Sequence, residues 1–185
     1  MPVPPRQRPW WPRARASGDA VARPGTEALR LPTLLAPDGL VSWDAPVARG
    51  VAVRALVGRA VPAVPGLTVP AVLARLAERD ALGPTHVGEG VDLPHARIDG
   101  VTRPAFAVGL THGGVDGAEA PTEVVWLLLL PPGGAGLQTT AQVARACRDA
   151  AFRDALRDAR DADAVRAALG RWERSQEPRS GPGAP

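Results

Sequence analysis

Tyrosine, asparagine and lysine are absent from the 185-residue sequence, so all 22 basic residues are arginine. With 21 prolines and 20 glycines beside them, this usage reads as the coding bias of a high-GC genome rather than as chemistry. Cys147 is the only cysteine, which excludes an internal disulfide and fits a reducing compartment. The three histidines are scattered and match no metal-ligand spacing with Cys147, so no metal site is expected. Neither a phosphate-binding Walker loop nor a dinucleotide fingerprint is found. Long apolar runs are missing too. Val124–Leu130 is far too short to cross a bilayer, and the N-terminal arginines precede no signal-peptide core. A soluble, cytoplasmic protein without membrane insertion is the expectation.

The formal net charge is +3, and its distribution matters more than its size. Residues 1–24 hold five arginines (Arg6, Arg8, Arg13, Arg15 and Arg23) against Asp19, a surplus of +4 that leaves residues 25–185 at −1. The base therefore belongs to an arm and not to a nucleic-acid-binding body. Residues 1–30, rich in Pro, Arg and Ala without periodicity, read as disordered. Trp10 and Trp11 could stack on nucleic acid or sit at a lipid surface; the plainer reading is a solvated arm. Residues 31–173 read as one domain and 174–185 as a disordered tail.

Within the domain the pattern predicts a strand near Gly39–Trp43, then a helix opened by Asp44 and Pro46 with Val53, Leu56, Val57 and Ala60 inward. Thr68 and Pro70 start a second helix that ends near Arg79. Three strands follow at about Val87–Leu93, Ala105–Leu110 and Glu123–Leu130, the last two apolar enough to be buried on both faces. The C-terminal part is helical, with Ala141, Ala144, Cys147 or Arg148, Phe152 and Leu156 on one stripe and Val165, Ala168, Leu169 and Trp172 on another. Strands flanked by helices on either side imply an α/β sheet covered on both faces.

The stretch Gly83–Gly100, GPTHVGEGVDLPHARIDG, stands out. Pro94 fixes its own φ and pushes Leu93 into an extended conformation, so His95 is held stiffly where the apolar Val91–Leu93 run ends. Glu89 sits between two glycines upstream. The ordered set Glu89, Gly90, Val91, Leu93, Pro94, His95 and Ala96, with Arg79-Asp80 before it and the apolar Val124–Pro132 run after it, resembles the active-site signature of the fructose/mannitol/nitrogen-type (type 2) enzyme IIA domains of the bacterial phosphotransferase system. The resemblance covers roughly Leu31 to Trp172.

That resemblance implies a three-layer α/β/α sandwich around a mixed sheet and a phosphotransferase component of sugar uptake, fructose-type in appearance. His95 would accept a phosphoryl group from an HPr-type phosphocarrier protein and pass it to an enzyme IIB cysteine. No cofactor is implied, no nucleic-acid partner is expected, and a homodimer is compatible with it. Arg79 would stabilise the phosphate, since a guanidinium can grip two oxygens at once; a solvated helix-end arginine is the bland alternative. Glu89 would orient the imidazole or pair with Arg79, unless it is merely solvated. Many family members carry a second histidine before the Leu-Gln that opens the next helix, and Gly136 stands there instead. His86, in the same loop as the signature, is an auxiliary candidate. Asp92 replaces a small residue and would either favour imidazolium at His95 or point away as a surface charge. These departures leave room for a regulatory domain of the same fold that feeds no transporter. A third reading is a binding module working through its Arg/Trp-rich arm.

Overall fold

The computed structural model describes residues 29–177. Nearly all of the expected arm, Trp10 and Trp11 included, lies outside them, as does most of the expected tail. In chain order the structure has β1 (Leu35–Trp43), β2 (Val47–Ala48), α1 (Arg49–Ala60) and α2 (Val69–Asp80). The short strands β3 (His86–Gly88), β4 (Val91–Asp92) and β5 (His95–Arg97) follow, then β6 (Ala105–Thr111), β7 (Val115–Asp116) and β8 (Val124–Leu130). The helices α3 (Gly134–Arg148), α4 (Ala150–Arg157) and α5 (Ala162–Gln176) come last.

β6 and β8 run antiparallel at the centre of a mixed sheet, and β1 extends it in parallel beside β6. β4 and β5 both lie parallel along the other side of β8, and β3 pairs antiparallel with β4. Every residue of β6 and β8 is buried, as unbroken apolar runs require of strands covered on both faces. Alternation sorts their side chains. Phe106, Val108, Trp126 and Leu128 join one core with α3, α4 and α5, while Ala107, Val125, Leu127 and Leu129 join another with α1 and α2. Each fully buried Leu or Val is worth roughly 1.5–3 kcal/mol, so both helical layers are strongly held. The result is the three-layer α/β/α sandwich that the resemblance implied.

Several local expectations need correction. Asp44 caps nothing: α1 begins at Arg49 with Ala48 as its N-cap and no side-chain cap, because Val47 and Ala48 are drawn into a parallel ladder with Val115 and Asp116. The expected strand Val87–Leu93 is folded back on itself at Glu89 and Gly90, which have φ of +54° and +75°. Ala141 and Ala144 do not face the core; Thr139, Val143, Ala146 and Cys147 do. The long helical stripe is broken at Asp149, whose side chain accepts the Phe152 N–H at 3.1 Å and starts α4 afresh. Thr68 does cap α2, accepting from the Ala71 N–H at 3.4 Å. At the far end α5 continues to Gln176, and its Glu173 carboxylate accepts from the Leu31 N–H at 2.6 Å and from Arg30 at 3.1 Å.

Candidate functional site

β4 and β5 behave as one strand with a step in it. Asp92 is in register with Val125 and His95 with Leu128, so the alignment along β8 is kept across Leu93-Pro94. Pro94 has no N–H to give, but its carbonyl accepts from Leu128 N–H at 2.9 Å. The step leaves His95 half-buried on the sheet edge, at the rim of a groove of about 540 Å³. Arg75, Arg79 and Leu82 line the groove from α2 and the turn after it, Leu137 and Thr140 from α3, and Arg97 from β5 itself.

Two contacts fix the imidazole. Nδ1 lies 2.8 Å from the Leu93 carbonyl oxygen, which can only accept, so Nδ1 carries the proton. Nε2 accepts from Arg79 Nε–H at 3.1 Å, which requires its lone pair to be free of hydrogen. A single neutral tautomer satisfies both. Burial lowers the His95 pKa below the ordinary histidine value, and the charges of Arg79 and Arg97 push the same way, against the Leu93 carbonyl and Asp80. The side chain is therefore a neutral imidazole at physiological pH with Nε2 as its nucleophilic atom. Arg79 also donates from Nη1 to the Gly83 carbonyl at 3.1 Å.

The other candidates lie elsewhere. Glu89 does not touch the ring: its left-handed turn swings the carboxylate to Arg153, 3.0 Å away, and the orienting role expected of it falls to the Leu93 carbonyl. His86 does not fold over the groove. It lines a separate cavity of about 120 Å³ with Arg49, Asp80, Thr85 and Asp92, because β3 pairs antiparallel with β4 and sets His86 opposite Asp92. Asp92 fits neither of its expected readings. Val91 and Leu93 enter the core shared with α3 to α5, so alternation turns Asp92 towards α1, where it is 3% exposed and bonded to Arg49 at 2.6 Å. Gly136 lies within the first turn of α3, where a Cβ would come within 2.8 Å of the Pro131 carbonyl oxygen. A histidine does not fit there without moving the helix. Cys147 is buried, and that burial pushes its thiol up to about 12, which makes it an inert core residue.

Arg49 is a residue that sequence reasoning missed, as is Arg97 at the groove. Burial opposes the charge of Arg49, yet the hydrogen bonds it donates to the Asp80 and Asp92 carboxylates hold its pKa above the usual arginine value. A signal was present: an arginine in the first turn of a helix opposes the dipole, and Asp92 interrupts an apolar strand with the complementary charge.

A family model described as the phosphoenolpyruvate-dependent sugar phosphotransferase system, EIIA 2, matches residues 63–171. The nitrogen regulatory protein of Bradyrhizobium diazoefficiens is 34% identical over 107 residues, covering 54% of this chain and 68% of that protein. The 2-O-alpha-mannosyl-D-glycerate-specific EIIABC component of Escherichia coli is 46% identical over 63 residues, 31% of this chain but only 9% of that much longer protein. Among solved structures, the nitrogen regulatory protein IIA-Ntr from Neisseria meningitidis superposes with a TM-score of 0.63 at 24% identity, over 75% of this chain and 97% of that one; at that identity the likeness concerns the fold.

Proposed function

The chain belongs to the type 2 enzyme IIA family of the phosphoenolpyruvate-dependent sugar phosphotransferase system, and on that premise we propose that it is a phosphoryl carrier with His95 Nε2 as the acceptor atom. The observation that carries this reading is the pair of contacts on the ring: a carbonyl on Nδ1 and a guanidinium, not an acid, on Nε2.

In the forward step the Nε2 lone pair attacks the phosphorus of a phosphohistidine on an HPr-type donor. The new N–P bond forms as the donor N–P bond breaks, and the electron pair of the broken bond returns to the donor ring. Nδ1 keeps its proton throughout, and the Leu93 carbonyl meets the positive charge that grows on the His95 ring. Arg79 caps the lone pair at rest and has to release it. Its N–H groups then turn to the phosphoryl oxygens, where a planar fork can hold two at once. Arg97, two residues on along the same edge strand and without a carboxylate partner among the described residues, takes the second phosphate-binding place that Gly136 leaves empty. Handing the group to an enzyme IIB cysteine reverses the same motions.

Leu82 and Leu137, 83% and 63% exposed, flank the groove. Large apolar side chains left in water beside a nucleophile suit a protein donor rather than a small one. The fructose-type expectation stays open here, since relatives are named for a sugar derivative, for nitrogen regulation and for fructose; phosphoryl acceptance is the step these roles have in common. The extent of the match supports the regulatory and the sugar-transport readings alike, since a nitrogen regulatory protein and a fructose-specific EIIA component each cover 54% of this chain.

Incubation with phosphoenolpyruvate, enzyme I and HPr, followed by intact mass, tests the proposal. A phosphoryl adduct is expected on the wild type and none on His95→Ala. An adduct that survives in the mutant, or no adduct at all with cognate partners, rejects it.

A further inference from the structure

We infer that Arg49 is a positioning residue of the His95 site, a clamp that holds the strand carrying His95 and the helix end carrying Arg79 in one fixed relation. The inference rests on the phosphoryl-carrier reading for its consequence in rate, though not for its consequence in structure.

Arg49 stands at the start of α1, outside the groove, and its guanidinium reaches three partners. Nε donates to Asp92 Oδ2 at 2.6 Å, Nη1 to Asp80 Oδ2 at 2.7 Å, and Nη2 to Thr85 Oγ1 at 3.0 Å. Each partner is one short step from the site. Asp80 directly follows Arg79 at the end of α2. Asp92 directly precedes Leu93, whose carbonyl fixes the tautomer of His95. Thr85 accepts the Leu93 N–H on its own carbonyl at 2.9 Å and donates its hydroxyl to Asp92 Oδ1. Among the described residues Arg49 is the one side chain that bonds to both α2 and β4.

The choice of residues fits positioning better than stability. The Asp92 side chain is 4% exposed and that of Arg49 24%, and a buried ion pair is seldom more stabilising than the apolar side chains that could replace it. What it does supply is direction, because a planar fork of N–H donors fixes distance and angle to several acceptors at once and an ammonium does not. The nucleophile and the cation that must cooperate at the phosphoryl group come from different elements. Misplacement by about 1 Å between such groups costs on the order of a hundredfold in rate.

The full-length protein should be compared with Arg49→Met/Asp92→Ala, in which both buried charges leave together, with Arg49→Lys and with Asp80→Asn. Two readouts are needed: the His95 tautomer by ¹⁵N NMR of the imidazole, and the phosphorylation rate across donor concentrations. The double variant should show a mixture of tautomers in place of Nδ1–H alone. It should also lose on the order of tenfold to a hundredfold in rate at saturating donor, with the half-saturating concentration unchanged. Arg49→Lys keeps the charge but not the fork and should fall between. Asp80→Asn, which releases only the α2 side, should lower the rate while the tautomer stays. A folded double variant with wild-type tautomer and rate overturns the inference. Should the double variant fail to fold, an undiminished rate in Asp80→Asn overturns it equally. If the wild type itself accepts no phosphoryl group, the proposed function fails, while the tautomer comparison still decides the role of Arg49.

Discussion

Two arginine clusters meet at the end of α2, one residue apart, and they are built on opposite plans. Asp80 belongs to the closed cluster, where Arg49 is bonded to two carboxylates and a hydroxyl beside a cavity of about 120 Å³. Arg79 belongs to the open one, where the cation faces a neutral ring and a groove of about 540 Å³. The same side-chain chemistry serves both, and pairing distinguishes them. A guanidinium tied to two carboxylates and a hydroxyl holds structure, whereas one held only by an imidazole lone pair and a carbonyl can exchange those partners for phosphate oxygens.

The sharpest way to break this contrast is to take the partner away from the closed cluster. Arg49→Met leaves Asp92 buried and unpaired, a loss of about 3–5 kcal/mol in unfolding free energy; denaturant titration should show a lower midpoint with an unchanged slope. Arg79→Ala should do the reverse. Its removal leaves no carboxylate stranded, so stability should stay within about 0.5 kcal/mol, while phosphoryl transfer to His95 should fall on the order of 10²- to 10³-fold, as for other preorganised donors of developing charge. If Arg79→Ala unfolds the protein or Arg49→Met costs only rate, the two clusters have been assigned the wrong way round.

A smaller effect tests whether the open cluster could be rebuilt on the pattern common in the family. Because a Cβ at position 136 would lie 2.8 Å from the Pro131 carbonyl oxygen, the start of α3 has to shift to accept any side chain. Gly136→Ala should therefore cost about 1–3 kcal/mol, and Gly136→His should cost as much again without raising the transfer rate. A faster Gly136→His would mean that the helix start yields and that Arg97 is a poor substitute for the second histidine.

The open cluster was the more legible of the two in the sequence. Pro94 before His95 announces a stiff presentation of the ring because proline acts locally, and Thr68 with Pro70 marks the start of the helix that ends at Arg79 for the same reason. The apolar runs at Ala105–Leu110 and Glu123–Leu130 read as strands buried on both faces, and the structure makes them the adjacent inner strands of the sheet. What escaped were contacts made across the fold. Glu89 looked like a neighbour of His95 because it is near in sequence, yet the left-handed turn through Gly88, Glu89 and Gly90 sends it to Arg153. Asp92 and Arg49 are 43 residues apart, and only the alternation of a two-residue strand, invisible within a run that looked continuous, brings them together. Ala141 and Ala144 were misread because alanine spacing says little about which face is buried when Val143 and Ala146 fit as well.

The weakest expected effect concerns protons, and it bears on the open cluster alone. Burial, Arg79 and Arg97 lower the His95 pKa in the folded protein, whereas the unfolded chain titrates near the ordinary value of about 6.5. As pH falls the unfolded state takes up its proton first, so the stability His95 contributes is fully present above about 6.5 and is lost as pH falls from there through the folded value. The phosphorylation rate should likewise drop, as the Nε2 lone pair is protonated, at a lower pH than an ordinary histidine would impose. Arg97→Ala removes one depressing charge and should raise that lower inflection, whereas Asp80→Asn removes a charge acting the other way and should lower it. Both shifts should be smaller than the effect of burial, the leading cause. A histidine NMR titration gives the values directly: a His95 that titrates as in the unfolded chain, or that ignores Arg97, would mean that the groove is wetter and its cations more distant than the closeness of Arg79 to Nε2 implies.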